Sequence, residues 1–255
     1  LDRYAGMGDY AHAKGNMFLQ QTAEDIAIVP SDEADASAVC LAQAKRGGAR
    51  IVTFGTAVDA DVRVTNSEIV DRRDGEIYLR APIRLQGAHN ARNVAAAIAA
   101  ARDLGVSPEI IRETLAVFEG LSHRMAFVAE VGGVRFYDDS KGTNVGAAVT
   151  ALRGLAEAKA VLVAGGRDKQ GGYDELRDAL ADRGRACVVI GEAAAAIQSA
   201  VEGAVAVVHA ATMDEAVNQA FSLAKPGDAV LLSPACSSFD MFRDYKHRGD
   251  AFVAS

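Results

Sequence analysis

Four short apolar runs recur in the second half of the chain: AVLVA at residues 160–164, ACVVI at 186–190, VAVV at 205–208 and AVLL at 229–232. Stretches of helical composition separate and precede them, near residues 144–155, 173–183, 192–202 and 212–224. Strands that alternate with helices in this way form a mostly parallel sheet with right-handed crossovers. Residues 127–137, which come before this pattern, predict a β-hairpin that turns at Gly132-Gly133. The sequence therefore predicts a doubly wound α/β domain in this half.

The first half of the chain has a looser form of the same alternation. DIAIV at residues 25–29 and RIVTF at 50–54 are typical of buried strands and flank a helix near residues 35–46. Short strands are predicted between residues 62 and 80, and helices over residues 89–104 and 108–118. Because the pattern changes near Gly120–Ser122, we place two domains at residues 1–121 and 122–255.

Composition excludes several classes of protein. Of the 255 residues, 50% are hydrophobic and 24% are charged, which is ordinary for a globular protein. No apolar run approaches the ~20 residues of a membrane span, so no membrane partner is expected. The net charge of −7 disfavours nucleic acid as a partner, and it requires a few well-placed cations to hold any anionic ligand. Three widely spaced cysteines favour reduced thiols in the cytoplasm over disulfides or a zinc site.

Two polar segments follow predicted strands at the carboxyl edge of the sheet, where open α/β sheets bind ligands. The first, DDSKGTN at residues 138–144, combines carboxylates, a cation and hydroxyls before a helix, as a ribose and phosphates require. Its alternative interpretation is a helix cap formed by Thr143 or Asn144. The second, GGRDKQGG at residues 165–172, offers Lys169 to an anion, with a solvated loop as the alternative. Neither segment is a Walker A loop, and no such loop occurs in the chain.

Two further segments suit a carboxylate and a base. SPACSSFD at residues 233–240 is predicted to begin the last helix at Ser237 and Ser238, whose hydroxyl and free N–H groups can hold a carboxylate. Cys236 within it is a candidate nucleophile, but a packed thiol is favoured because no histidine lies nearby in the pattern. Asn90 and Asn93 share one helix face, so their amides can recognise an adenine edge. The alternative makes one of the two asparagines an N-cap.

Taken in order, these segments resemble the Mur ligase family, and within it the branch that adds D-glutamate. The resemblance spans essentially the whole chain. It rests on DRY at residues 2–4, YAHAK at 10–14, HNARN at 89–93, GLSHR at 120–124, DSKGTN at 139–144, the loop 165–169, SPACSSFDMF at 233–242 and RG at 248–249. The sibling branch that adds a diamino acid carries an Asp-Asn-Pro-Arg signature, which this sequence lacks.

The resemblance implies an architecture and a reaction. Residues 1–121 would be the C-terminal half of a central ATPase domain, and residues 122–255 a complete, Rossmann-like C-terminal domain that binds the amino acid. The family's uridine-nucleotide domain and Walker loop have no counterpart here, so the chain alone is expected to be inactive. The implied reaction uses ATP and Mg²⁺ to convert the carboxylate of UDP-N-acetylmuramoyl-L-alanine into an acyl phosphate. The amine of D-glutamate then attacks this acyl phosphate, in peptidoglycan precursor synthesis.

The resemblance also assigns roles to single residues. Asn90 and Asn93 would face the adenine, Asp139 the ribose and Arg124 the phosphates, with His123 and Lys141 as catalytic cations beside them. Lys14, which by itself would be an ordinary surface lysine, matches a catalytic lysine that CO₂ carbamylates into a metal ligand near Mg²⁺. The D-glutamate pocket would be lined by Thr143, Lys169, Ser238, Phe239 and Tyr245.

Alternatives of other classes remain open at this point. The first is a non-catalytic module that binds nucleotide or D-glutamate and turns nothing over. The second is an NAD-binding enzyme, which is disfavoured because no G-x-G-x-x-G follows a predicted strand. In every case a monomer is expected.

Overall fold

The structure is a computed structural model that describes residues 6–32, 34–83, 85, 87–168 and 172–255, without the side chains of residues 7 and 34–37. The chain forms two compact units, the first ending at Glu119 and the second running from Gly120 to Ser255. Each unit has a sheet and an apolar core of its own.

The first unit contains a five-stranded sheet in the order β1-β2-β3-β4-β5. Strands β1 to β3 run parallel, whereas β4 and β5 join antiparallel as a meander. The elements are α1 (Met7–Gly15), a 3₁₀ turn (Asn16–Phe18), β1 (Ile26–Pro30), α2 (Ala34–Gly47), β2 (Arg50–Gly55), β3 (Val62–Val64), β4 (Glu68–Asp71), β5 (Glu76–Leu79), α3 (Ala88–Asp103) and α4 (Pro108–Val117).

Helix α3 covers this sheet with one apolar face. Its buried residues, Ala91, Val94, Ala95, Ile98 and Ala99, follow the spacing of a single helical stripe. They pack against strand residues such as Val52, Ile69 and Tyr78 in one core cluster. This packing fixes the first two turns of α3, which carry both asparagines of the predicted adenine site.

The second unit contains a six-stranded sheet in the order β10-β9-β8-β11-β7-β6. All neighbours run parallel except the β6–β7 hairpin. The elements are β6 (Ala126–Val131), β7 (Val134–Asp138), α5 (Val145–Gly154), β8 (Ala160–Gly165), α6 (Asp174–Arg183), β9 (Gly184–Ile190), α7 (Ala194–Val201), β10 (Ala206–His209), α8 (Met213–Leu223), β11 (Ala229–Leu232) and α9 (Tyr245–Ala254).

Helices cover both faces of this second sheet, which confirms the predicted doubly wound α/β architecture. Alternate residues of β8 face opposite sides: Leu162 lies in one core cluster, and Val161 and Val163 lie in the other. All six residues of β8 are buried, and a central strand covered on both faces is expected to be a continuous apolar run. In the sheet, strand β8 lies between β9, which is the next strand in the chain, and β11. A ligand crevice is therefore expected at the carboxyl ends of β8 and β11.

Two local predictions have different outcomes. The hairpin turn at Gly132-Gly133 is confirmed, and both glycines have positive φ, at 58° and 78°, as a primed turn requires. The helix predicted to begin at Ser237 and Ser238 is wrong. Residues 238–244 form turns and bends, and α9 begins at Tyr245 with Asp244 as its N-cap. The Asp244 side chain accepts a hydrogen bond from the His247 amide at 2.8 Å, which makes it the better cap.

Candidate functional site

Three segments meet at the carboxyl edge of the second sheet: residues 138–143 after β7, 165–168 after β8 and 233–240 after β11. They are adjacent because β8, β11 and β7 are neighbouring strands. Backbone hydrogen bonds join the segments, from the Ala235 amide to the Gly142 carbonyl at 2.9 Å and from the Gly165 amide to the Pro234 carbonyl at 2.9 Å. The fold thus brings together three segments that lie far apart in the sequence.

A histidine–carboxylate pair lies beside the first segment. His123 Nδ1 is 2.6 Å from Asp138 Oδ2, and the Ser140 amide donates to the other Asp138 oxygen at 2.9 Å. His123 Nε2 lies 3.7 Å from the exposed Asp250. The sequence assigned a role to His123 but none to Asp138, which fixes the imidazole orientation in the way that a carboxylate orients a catalytic or metal-binding histidine.

Arg124 stands between two residues with unusual backbone conformations. His123 and Met125 have φ of 61° and 48°, and Ala235 across the edge has φ of 59°. Non-glycine residues in this region are strained, and they concentrate where function over-determines the backbone. The Arg124 side chain is exposed. A fixed backbone with an exposed guanidinium suits an anion-binding role.

The Asp139 side chain is buried rather than exposed to solvent. It is 8% exposed, its Oδ2 accepts from the Ser233 hydroxyl at 2.7 Å, and its Oδ1 accepts from the Met125 amide at 3.3 Å. Burial raises the pKa of Asp139 to about 6, although the Ser233 hydroxyl, the Met125 amide and the Arg124 charge oppose this shift. Each carboxylate oxygen keeps a second lone pair, through which a hydroxyl group can still be bound.

Lys141 is held over an aromatic ring at the start of α9. Its Nζ lies 3.9 Å from the centroid of the Tyr245 ring, a cation–π contact, and its amide donates to the His123 carbonyl at 3.0 Å. Thr143 follows at the entrance to α5, and Asn144 caps that helix by accepting from the Ala147 amide at 2.9 Å. The cap interpretation of this segment is therefore confirmed for Asn144, which leaves Thr143 half-buried without the capping role.

The residues predicted for D-glutamate are spread between buried and exposed positions. Ser238 is 3% exposed, and Phe239 beside it is 62% exposed. Lys169 lies outside the described residues. The glycines before it permit close packing of the edge: a Cβ at Gly165 would lie 1.9 Å from the Ile190 carbonyl oxygen, and one at Gly166 would lie 2.2 Å from that of Ser237.

Cys236 is a packed thiol, as favoured from the sequence. It is 1% exposed, and burial raises the pKa of its thiol. The Tyr173 hydroxyl lies 3.3 Å from the Cys236 sulfur and donates to Asp168 at 2.9 Å. A thiol kept protonated by burial is a poor nucleophile.

Sequence reasoning gave no role to Arg248 in α9, the largest fully buried side chain of the edge, although its Arg-Gly pair forms part of the resemblance. Arg248 is 0% exposed and donates to Ser140, Gly165 and Cys236, one residue from each segment. The available signal was its place four residues before Phe252, on the helix stripe that packs against the sheet.

The first unit presents its candidate residues on two helices. Asn90 is half-buried and Asn93 is exposed in the first turns of α3, which begins after Gly87 with no side-chain cap. The alternative of an asparagine N-cap is therefore wrong. Lys14 is exposed near the end of α1, with its Nζ 5.4 Å from the Tyr10 ring centroid.

Two features are absent from the described residues. No group of three or more histidine, cysteine or acidic side chains among them could hold a metal ion. No helix formed by the described part of the chain is long and apolar enough to cross a membrane.

Comparison with known proteins assigns both parts of the chain. Residues 1–101 match the Mur ligase middle domain, and residues 123–236 match the Mur ligase glutamate ligase domain. A UDP-N-acetylmuramoylalanine--D-glutamate ligase from Aromatoleum aromaticum is 42% identical over 264 residues, covering 100% of this chain and 55% of that protein. A protein of the same name from Nitrosospira multiformis is 43% identical over 262 residues, with 100% and 54% covered. The chain spans about half the length of the curated relatives it matches.

Solved structures share the fold at lower identity. MurF from Acinetobacter baumannii matches with a TM-score of 0.73 and 21% identity, over 100% of this chain and 57% of that one. The folylpolyglutamate synthase of Mycobacterium tuberculosis complexed with ADP matches with a TM-score of 0.72 and 18% identity, over 91% and 58%.

Proposed function

Because the chain belongs to the Mur ligase family, we propose that it carries the ATP-binding and D-glutamate-binding residues of a ligase. That ligase would join D-glutamate to UDP-N-acetylmuramoyl-L-alanine in peptidoglycan precursor synthesis. The observation that carries this proposal is the meeting of the 138–143 and 233–240 segments, with His123 and Lys141, at one edge of the second sheet. Identity of about 40% to named D-glutamate ligases over the whole chain supports it.

The proposed chemistry needs positive charge more than it needs a nucleophile from the protein. ATP, a substrate, phosphorylates the L-alanyl carboxylate and leaves as ADP. The amine of D-glutamate then attacks the carbonyl carbon of the acyl phosphate, loses a proton, and the C–O bond to phosphate breaks. Negative charge develops on the transferred phosphoryl group and on the tetrahedral oxygen, so preoriented cations lower both barriers. Arg124, His123 and Lys141 are the proposed cations.

Each unit carries residues that we propose for the nucleotide. Asn90 and Asn93 present amide donors and acceptors for adenine, and Arg124 binds phosphate. Asp139 is proposed for the ribose through the lone pairs that Ser233 and Met125 leave open. The amides of the first unit suit a base, and the carboxylate and guanidinium of the second unit suit a sugar and phosphates.

The amino acid is proposed to bind at the segments after β8 and β11. D-Glutamate brings two carboxylates to a protein with a net charge of −7, so its pocket needs at least one cation and several neutral donors. We assign Lys169 as that cation, Thr143 and Ser238 as donors, and Phe239 and Tyr245 as the lining beside them.

Magnesium fits the described residues less well. The ion takes oxygen ligands, and no described cluster could hold it. The ammonium form of Lys14 carries the same sign of charge as the metal. We propose that the nitrogen of the exposed Lys14 adds to CO₂ with release of two protons to give a carbamate, whose oxygens are suitable ligands. No other part of the proposal depends on the metal.

Phosphate release tests the proposal. The full-length polypeptide that carries this sequence is assayed with ATP, Mg²⁺, UDP-N-acetylmuramoyl-L-alanine and D-glutamate, and L-glutamate replaces D-glutamate as the control. We expect release that depends on D-glutamate, and background release from the 255-residue chain alone. Release without dependence on D-glutamate contradicts the proposal. Binding of nucleotide or D-glutamate with no turnover by either protein supports the non-catalytic module instead.

Lys169→Ala tests the assignment of the amino-acid pocket. A charge-assisted hydrogen bond contributes about 1.5–3 kcal/mol, so the KM for D-glutamate should rise roughly 10- to 150-fold while the KM for ATP stays unchanged. Arg177→Ala, which removes an exposed cation from α6, is the matched control. A raised KM for ATP with an unchanged KM for D-glutamate would move Lys169 to the phosphates.

A further inference from the structure

Arg248 is the largest fully buried side chain among the described residues. Arginine is almost never fully buried unless its charge is paired, because removing a guanidinium from water costs several kcal/mol. Contacts at the carboxyl edge must therefore offset the free-energy cost of burying this charge, and hydrogen bonds provide the offset.

All five N–H groups of the guanidinium find acceptors. Nε donates to the Ser140 hydroxyl at 3.0 Å, and Nη2 donates to the Ser140 carbonyl at 2.9 Å and the Cys236 carbonyl at 3.2 Å. Nη1 donates to the Cys236 carbonyl at 3.2 Å and the Gly165 carbonyl at 3.4 Å. The donors of one planar group thus hold the three segments of the edge together.

Every one of these acceptors is neutral. Among the described residues, no carboxylate forms an ion pair with Arg248, and Asp138 and Asp240 act on it only through longer-range attraction. Burial lowers the pKa of Arg248 to about 10, which still leaves the group charged at neutral pH. Its positive charge is therefore not neutralised by contact and acts on the adjacent edge.

We propose that Arg248 is a positioning residue for the anionic substrates, holding the 138–143, 165–168 and 233–240 segments in register while contributing unpaired positive charge beneath them. This inference rests on the proposed function, since it concerns the same edge. Arg248 does not touch substrate in this scheme. It acts through Ser140, Gly165 and Cys236.

Its neighbours in α9 support the same role. The Tyr245 carbonyl accepts from the Ser140 hydroxyl at 2.7 Å, so Ser140 is held by two residues of α9. A Cβ at Gly249 would lie 2.1 Å from His123 Nδ1 and 2.7 Å from Asp138 Oδ2, so this position leaves room for the histidine–carboxylate pair. Helix α9 therefore packs closely against the carboxyl edge of the sheet, and Arg248 makes the central contact.

Lysine cannot replace arginine here. An ammonium group has three tetrahedral donors and a strongly hydrated charge, whereas the site uses five coplanar donors. We therefore expect both Arg248→Lys and Arg248→Ala, in the full-length polypeptide that carries this sequence, to lower kcat/KM for D-glutamate on the order of 100-fold, the cost of misplacing a site by about 1 Å. Lys246→Ala, which removes an exposed charge from the same helix, should change it less than about threefold.

The measurement separates positioning from folding. Activity is compared at a temperature where circular dichroism shows each variant to be folded, and low-millimolar guanidinium chloride is then added. Guanidinium should restore part of the activity of Arg248→Ala, and ammonium chloride at the same concentration should not. A merely structural residue would give wild-type kinetics in the folded variant and no selective rescue.

Two results would overturn the inference: a folded Arg248→Ala enzyme with kcat/KM within about threefold of wild type, or equal rescue by both cations. If Arg248→Ala does not fold, Ser140→Ala removes the acceptor of the Nε bond and should raise the KM for D-glutamate roughly 10-fold. An unchanged KM would then reject the inference. Absence of D-glutamate-dependent turnover in the wild type is a separate result, which rejects the proposed function.

Discussion

The two ends of the six-stranded sheet hold their charged side chains in different ways. At the amino end, Arg185 makes two hydrogen bonds to Asp228 at 2.8 and 2.9 Å, and Arg135 pairs with Glu130 at 2.9 Å. At the carboxyl end, His123 Nδ1 lies 2.6 Å from Asp138 Oδ2. The buried Arg248 there, however, binds only neutral acceptors, and the buried Asp139 has only neutral donors among the described residues. Charges matched within the protein stabilise a fold. The unpaired charge of Arg248 raises the free energy of the unliganded protein, and binding of an anionic ligand nearby offsets part of this cost.

Backbone conformation follows the same division. The carboxyl end contains His123, Met125 and Ala235 at positive φ, together with two glycines whose missing Cβ atoms permit close contact with other segments. At the amino end, Gly227 has φ of 89°, but a Cβ there would meet nothing within 4 Å. Among the described residues, every non-glycine residue with positive φ thus lies at the end proposed to bind ligands.

The largest effect is expected from adding a methyl group at each end. Gly166→Ala forces a side chain onto φ of 130° and places its Cβ 2.2 Å from the Ser237 carbonyl oxygen, so the free energy of unfolding should fall by about 3 kcal/mol. Gly227→Ala has only the unfavourable positive φ to accommodate, so the free energy of unfolding should fall by about 1 kcal/mol. Urea unfolding of both variants measures the difference. Equal costs would show that the two ends are equally tolerant.

The second prediction uses the opposite pKa shifts of two carboxyl groups. The folded-state pKa of Asp139, about 6, lies above its unfolded value of 3.8, so its stabilising contribution is complete below pH 3.8 and is lost as the pH rises through 6. Lowering the pH from about 7.5 to about 5 should therefore add about 1 kcal/mol to the wild type relative to Asp139→Asn.

Asp228 at the amino end is the control for this experiment. Hydrogen bonds from Arg185 lower the pKa of Asp228, so its contribution is present above the unfolded value and is lost as the pH falls through the lowered pKa. The Asp228→Asn variant should therefore be less stable than the wild type at neutral pH. On acidification, the stability of the variant should fall less than that of the wild type. Parallel pH profiles for the two variants would contradict the proposed difference between the ends.

The third prediction concerns the cation over the Tyr245 ring. Tyr245→Leu removes the aromatic face that Lys141 contacts at 3.9 Å. Loss of this cation–π attraction, about 1 kcal/mol, should lower kcat/KM roughly fivefold. Tyr245→Phe keeps the ring and should behave as the wild type. Steady-state kinetics distinguish the two. Equal losses in both variants would transfer the role from the ring to the hydroxyl.

The smallest effect is expected at Cys236. Because its thiol is buried and protonated, Cys236→Ala should change kcat by less than about threefold, and the folded protein should protect this thiol from alkylation. Mass spectrometry after brief alkylation checks the second point. A loss of kcat by several orders of magnitude in a folded variant would restore Cys236 as a candidate nucleophile.

Much of the fold could be predicted because local patterns determine it. The apolar runs at 160–164, 186–190 and 229–232 became β8, β9 and β11, since a strand buried on both faces needs little more than β-branched and apolar residues. Paired glycines were enough to predict the β6–β7 turn. The predicted start of the last helix failed because hydroxyl residues favour turns as strongly as caps.

The candidate site was only partly accessible in the same way. Residues such as Lys141, Thr143 and Ser238 stand in segments whose composition already suggests ligand binding. The pairing of His123 with Asp138 and the burial of Arg248 depend instead on contacts between distant parts of the chain. Arg248 and its partner Ser140 are separated by 108 residues. An arginine is by default expected at the surface. Only the packing of α9 against the sheet supplies the four acceptor atoms, which take five hydrogen bonds and make its burial possible.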